Sequence, residues 1–293
     1  MRLAPEFLPT FGALALAVLL LWVPAPAVRG QRDWAWGAGL LLACAVGLAA
    51  RVLDWRGLLV VAVYAALAVG ARASARAALR VPLLVLTGAC ALLLAMHRLP
   101  GFHNPLVAND VQVSSDAPPF TLYANFDKAV AGIVLMGVFC APLRSASAWG
   151  PMLRRTAPVL LATLVVVLGT GTLLGYVAPD LKWTPLAPWF LAINLLFTCV
   201  AEEAFFRGFL LGRMQRALAG RRYGTGLAVA VSTMLFGLAH AGGGPALVVM
   251  AALAGLGYAA AYLRSGHVEG AILTHFALNA VHFVAFTYPA SLH

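Results

Sequence analysis

A chain of 293 residues that is 62% hydrophobic and only 10% charged, with a mean hydropathy of +0.89, is not a soluble domain; it reads as a polytopic membrane protein. Its net charge of +10 raises nucleic acid as a partner, but the arginines stand in short loops between apolar runs. The positive-inside rule accounts for them there, so the lipid bilayer takes the place of nucleic acid as the expected partner. Cys44, Cys90, Cys140 and Cys199 fall inside apolar runs without C-x-x-C spacing, so they read as small packing residues and neither as a disulfide set nor as a metal site.

In chain order the apolar runs cover 8–28, 34–50, 57–71, 81–96, 129–143, 156–177, 186–214, 224–241, 245–263 and 271–286. The second to fifth are short, and the expected fold class is an all-α polytopic transmembrane helix bundle of about eight to ten spans. The first run ends in Pro24-Ala25-Pro26-Ala27, which imitates a signal-peptide cleavage site; only Arg2 precedes it and Glu6 offsets that charge, so a retained span is expected. With the N-terminus outside, inner loops hold thirteen of the Lys and Arg residues and outer segments, Lys128 among them, hold six.

Residues 97–128 form the one long polar connection, with Pro100, Pro105, Pro118 and Pro119. Before it the spans contain almost no ionisable residue, whereas the intramembrane carboxylates and the histidines inside spans all follow it. The chain is therefore expected to divide into N-terminal membrane helices with a long extracytoplasmic loop (1–128) and a catalytic transmembrane bundle (129–293). Gly208 and Gly212 make a GxxxG whose plain explanation is close helix packing.

The most informative stretch is Glu202-Glu203-Ala204-Phe205-Phe206-Arg207, three ionisable groups in six positions of an apolar run. Each costs at least about 2.5 kcal/mol near the centre of a bilayer, so such groups mark function. On an α-helix Glu203 and Arg207 stand four apart, acid before base, in the favourable order for a pair. Glu202 is rotated by about 100° from Glu203 and receives no partner from its own helix, which leaves it available as a general base. Downstream, Phe236-Gly237-Leu238-Ala239-His240 closes the eighth run, and His275-Phe276-Ala277-Leu278-Asn279 lies in the tenth with His282 further along the same face.

No G-x-S-x-G or H-E-x-x-H motif is present. A carboxylate with an imidazole activates water, and a second imidazole with an amide N–H stabilises the oxyanion formed when that water attacks a carbonyl. The same groups offer an alternative zinc set of Glu202, His240 and His275.

At these residues the sequence resembles the CAAX-processing and bacteriocin-processing intramembrane proteases, whose motifs are Glu-Glu-x-x-x-Arg, Phe-x-x-x-His and His-x-x-x-Asn. All three are intact within about residues 186–286. The resemblance implies that Glu202 and His240 activate the water, that His275 and Asn279 form the oxyanion hole, and that Glu203 and Arg207 support the site; Phe236, and His282 on the same helix stripe as His275, are expected as further supporting residues. It also implies a glutamate-type endopeptidase without a catalytic metal, acting on a membrane-associated or exported protein or peptide. The Ala, Leu and Arg richness points to a bacterial inner membrane.

Two other classes fit parts of the pattern: a proton- or ion-coupled transporter using the same groups as a relay, and a non-catalytic scaffold or bacteriocin immunity protein. Asn279 favours hydrolysis, since a relay has no need of an amide, and no inverted repeat is visible. Counting along straight helices at about 1.5 Å per residue sets His240 near the outer end of its span, Glu202 near mid-membrane and His275 nearer the inner face. A bend or tilt at Gly242-Gly243-Gly244 is therefore expected.

Overall fold

The computed structural model describes residues 7–23 and 34–292; the Pro24–Ala27 motif and several loop arginines of the topology count, Arg2, Arg29 and Arg32, lie outside them. Among the described residues each apolar run contains a helix, and the fold is all-α apart from a two-stranded hairpin between Leu106–Val111 and Phe120–Tyr123 inside the long polar connection. Among the described residues six helices are long and apolar enough to cross a membrane: Trp55–Ala73, Ala77–Ala95, Ala146–Leu173, Ala187–Ala217, Ala241–Ser265 and Val268–Ala285. Phe7–Leu19, Ala35–Ala49 and Gly224–Leu238 are apolar but shorter. Only 17% of the apolar window of Ala77–Ala95 is buried, and Leu161, Val165 and Leu173 are largely exposed on Ala146–Leu173. Apolar surface of that extent is covered by lipid in an integral membrane protein.

The chain divides into two compact units, each assembled from separate stretches. The first comprises 1–107, 123–145 and 196–205. At its centre is Phe126–Phe139, a helix of 14 residues whose buried positions run all round it, from Ala129 and Val130 to Met136 and Val138. A helix apolar on all faces is a core helix, and one this short is enclosed by its neighbours and does not span alone. It packs against Phe7–Leu19, Ala35–Ala49, Trp55–Ala73, Ala77–Ala95 and the turn Val200–Glu203. Tyr64 Oη donates to the Ala131 carbonyl at 3.0 Å. Gly132 permits a close backbone approach: a Cβ there would lie 2.7 Å from Ala201 Cα. Asp54 caps Trp55–Ala73 by accepting from the Arg56 and Gly57 amides, and its hydrogen bond with the Arg56 guanidinium holds its carboxyl down at about 2.

The second unit comprises 108–122, 146–195 and 206–293. Here Gly244–Ser265 is central and packs on Gly224–Leu238, Ala146–Leu173 and Val268–Ala285. Its C-cap is Gly266 at φ +77, a left-handed conformation that glycine adopts without strain. Gly212 faces Tyr262, where an added Cβ would stand 3.1 Å from the phenol oxygen, so this end of the GxxxG serves close packing. The chain after Val268–Ala285 is tied back by Asp180 N to Ala285 O at 2.8 Å, Lys182 N to Val284 O at 2.7 Å and Thr287 N to Ala178 O at 2.8 Å. Phe190 stacks on Phe283 at 4.1 Å, and Tyr288 closes against both rings.

The arginine bias predicts that 97–128 faces outward and 215–223 faces the cytoplasm. Ser115→Cys and Ala219→Cys, each placed singly in a chain with its native cysteines replaced by alanine, are expected to react with a membrane-impermeant maleimide from opposite sides. Labelling from the same side overturns that topology.

Candidate active site

The helix Ala187–Ala217 carries the two glutamates, and it is not the regular α-helix that the spacing predicts. It is π-helical over Asn194–Cys199, returns to α over Val200–Glu203, and is π-helical again over Ala204–Leu211. Glu202 and Glu203 thus occupy a single α-turn between two stretches of i→i+5 hydrogen bonding, a feature concentrated at functional positions. The one-face reading of Glu203 with Arg207 assumed uniform α geometry. In the structure Glu203 ends the α-turn and Arg207 lies in the second π stretch, and both are fully buried.

In the first unit Glu203 is fully buried and Glu202 is nearly so. Glu202 is not the spare carboxylate that helix geometry alone suggests. Lys128 Nζ donates to its Oε1 at 2.6 Å, from the first turn of Phe126–Phe139. The partner stands 74 residues upstream, which is why periodicity within one helix does not reveal it. Lys128, counted above with the outer segments, is engaged in this pair.

In the second unit Phe236 organises the imidazoles. Its ring is 2% exposed and stands 4.8 Å from the His240 ring and 5.8 Å, edge-on, from the His275 ring. One phenyl group therefore contacts both histidines, although straight-helix counting sets them at different depths. The Gly-rich stretch resolves the discrepancy without a bent helix. Gly224–Leu238 ends before His240, Ala241–Gly243 forms a short 3₁₀ turn, and Gly244 at φ +86 begins the next helix. His240 thus sits in a turn.

A backbone carbonyl only accepts, so the 2.8 Å contact of His240 Nδ1 with the Phe236 oxygen places the proton on Nδ1. Neutral His240 then presents the Nε2 lone pair. His275 is 4% exposed and stacks on Tyr258 at 4.4 Å and 15°. Arg207 is fully buried; its Nη2 donates to the Gly255 carbonyl at 2.8 Å and its guanidinium lies 4.6 Å over Phe236 and 5.2 Å over Tyr258. These are cation–π distances, and they tie the arginine to the same aromatic group as the histidines.

Asn279 Nδ2 donates to Asn194 Oδ1 at 3.2 Å. Asn194 escaped the sequence reading, although it was visible as one of few polar side chains in the apolar stretch 186–201, and it begins the first π stretch. His282 turns elsewhere: its Nε2 donates to the Thr287 carbonyl at 3.1 Å and its ring lies 5.0 Å from that of Tyr288. The stripe of His275, Asn279 and His282 thus meets three different partners.

Among the described residues no three His, Cys, Asp or Glu side chains gather as a metal-holding group, and Glu202 carries an ammonium against one of its oxygens.

Residues 184–281 match the family model described as Type II CAAX prenyl endopeptidase Rce1-like. Over this segment the chain is similar to the Rce1-like family. No curated protein and no solved structure matches the chain. The Rce1-like segment contains all three motifs and Asn194, whereas Lys128 and His282 lie outside it.

Proposed function

We propose that this chain is an intramembrane endopeptidase that hydrolyses a peptide bond of a membrane-associated or exported protein or peptide. The supporting observation is that the Glu-Glu-x-x-x-Arg, Phe-x-x-x-His and His-x-x-x-Asn motifs stand intact inside the Rce1-like segment, in a protein built for the bilayer. Glu202 and His240 act on the water: the water oxygen bonds to the scissile carbonyl carbon while its proton passes to the carboxylate. His275 and Asn279 hold the oxyanion of the tetrahedral intermediate. The C–N bond then breaks and the same proton is delivered to the departing amine. Glu203 and Arg207 support the site, with Phe236 placing both imidazoles, and the step uses no metal. The proposed location is the inner membrane of a bacterium.

The test is cleavage of membrane-tethered peptides by the purified protein in liposomes, before and after prolonged chelation. The expected result is a product whose new carboxylate takes its oxygen from labelled water, at a rate that chelation leaves unchanged, with elemental analysis showing no stoichiometric zinc. One zinc per chain, with activity lost on chelation and restored by zinc, would transfer Glu202, His240 and His275 to the role of ligands. A peptidase-free preparation that instead moved protons or ions across the liposome would favour the transporter reading.

A further inference from the structure

We infer that Lys128 is a positioning residue for Glu202: its ammonium fixes the plane of the carboxylate that acts on water. The inference rests on the proposed role of Glu202 and adds a residue outside the Rce1-like segment. The Nζ–Oε1 distance is 2.6 Å, and the two side chains are only 16% and 15% exposed, so this is not a solvated surface pair. In such surroundings a charge-assisted hydrogen bond is short and directional, and holding one carboxylate oxygen sets the orientation of the whole group.

The sequence builds this contact step by step. Gly132 lets Phe126–Phe139 approach the backbone of Ala201, since a Cβ there would meet Ala201 Cα at 2.7 Å. Lys128 lies four residues before Gly132, hence on the same helix face, and Glu202 immediately follows Ala201. The close approach of the two backbones therefore delivers the ammonium to the carboxylate.

The first turn bearing Lys128 is itself anchored. Asn104 Oδ1 accepts from the Phe126 amide at 2.8 Å, and its Nδ2 donates to Asp127 Oδ1 at 3.0 Å. Asp127, 2% exposed, accepts from the Lys128 amide at 2.9 Å and contacts His97 Nδ1 at 2.8 Å. A lysine side chain is long and rotamer-rich, and an anchored backbone is what lets it hold a partner in one place. Lys128 does not touch the reacting atoms in this scheme; it acts through Glu202.

The experiment compares Lys128→Met and Lys128→Arg in liposomes, reading kcat, KM, binding of a non-cleavable substrate peptide and thermal unfolding. Loss of orientation is expected to lower kcat about 10²-fold in Lys128→Met, the scale of a misplacement of about 1 Å. KM and peptide binding should stay within about twofold of wild type, and Lys128→Arg should recover kcat to within about tenfold. If Lys128→Met does not yield folded protein, Lys128→Gln, which keeps a neutral donor, is read in its place. A kcat within threefold of wild type, or above it, overturns the inference, as does a loss that Arg fails to recover although the variant folds. Should Glu202→Gln itself retain activity, the role of Glu202 falls instead, so the two failures are distinguishable.

Discussion

Glu202→Gln is expected to abolish peptide cleavage while leaving the protein folded. The amide is isosteric with the carboxylate, and its oxygen still accepts from Lys128, whose Nζ lies 2.6 Å from Oε1 in the wild type. It cannot take a proton from water, however, and loss of a general base costs on the order of 10²–10⁴ in rate. The neighbouring substitution has a different signature. Glu203 is fully buried, four residues before the fully buried Arg207 on the same continuous helix. Glu203→Ala removes buried volume and one of the buried charges of this apolar run, so stability or yield should fall as well, by roughly 3 kcal/mol. Cleavage assays paired with thermal unfolding in detergent separate the two. Near-wild-type activity in Glu202→Gln would refute the water-activation scheme outright.

The second large effect is expected at the oxyanion donors. His275→Ala and Asn279→Ala should each lower kcat by about 10²–10³ with little change in KM, as removal of one preorganised donor does. Their stability effects should differ. His275 is buried and stacked on Tyr258 at 4.4 Å, so its truncation leaves a void beside Tyr258 and Phe236 and lowers the unfolding temperature. Asn279 is half-buried and linked to Asn194 at 3.2 Å, so its truncation should cost activity with less loss of stability. Asn194→Ala should reproduce part of the Asn279 defect, since it removes the acceptor that orients that amide. Rates within threefold of wild type for both His275→Ala and Asn279→Ala would remove the oxyanion-hole assignment.

The structural setting of these residues was legible to different degrees. The three motifs could be read without any fold, because each is a spacing within one helix or at its end. Asn194 left a weaker signal, a polar side chain in an apolar stretch, and its partner 85 residues away was hidden. The π-helical stretches on either side of Val200–Glu203 left none. No proline marks the interruption in 194–211, and the altered hydrogen bonding depends on packing from other segments.

By itself the sequence determined that the chain lives in a bilayer, where most of its helices lie and which ionisable residues stand inside its apolar segments. Hydropathy and motif spacing are properties of contiguous segments, and in a membrane a long apolar segment has little choice but to become helix. Only the tertiary structure decided which charges meet. The Lys128–Glu202 pair depends on Gly132 admitting Ala201, and Arg207 finds Gly255 and two aromatic faces on helices that follow it. His240 and His275 share the Phe236 ring because the chain turns at Ala241–Gly243 and does not continue as one helix. It also decided that Phe126–Phe139 is a buried core helix, since hydropathy records that a segment avoids water and not whether lipid or protein covers it.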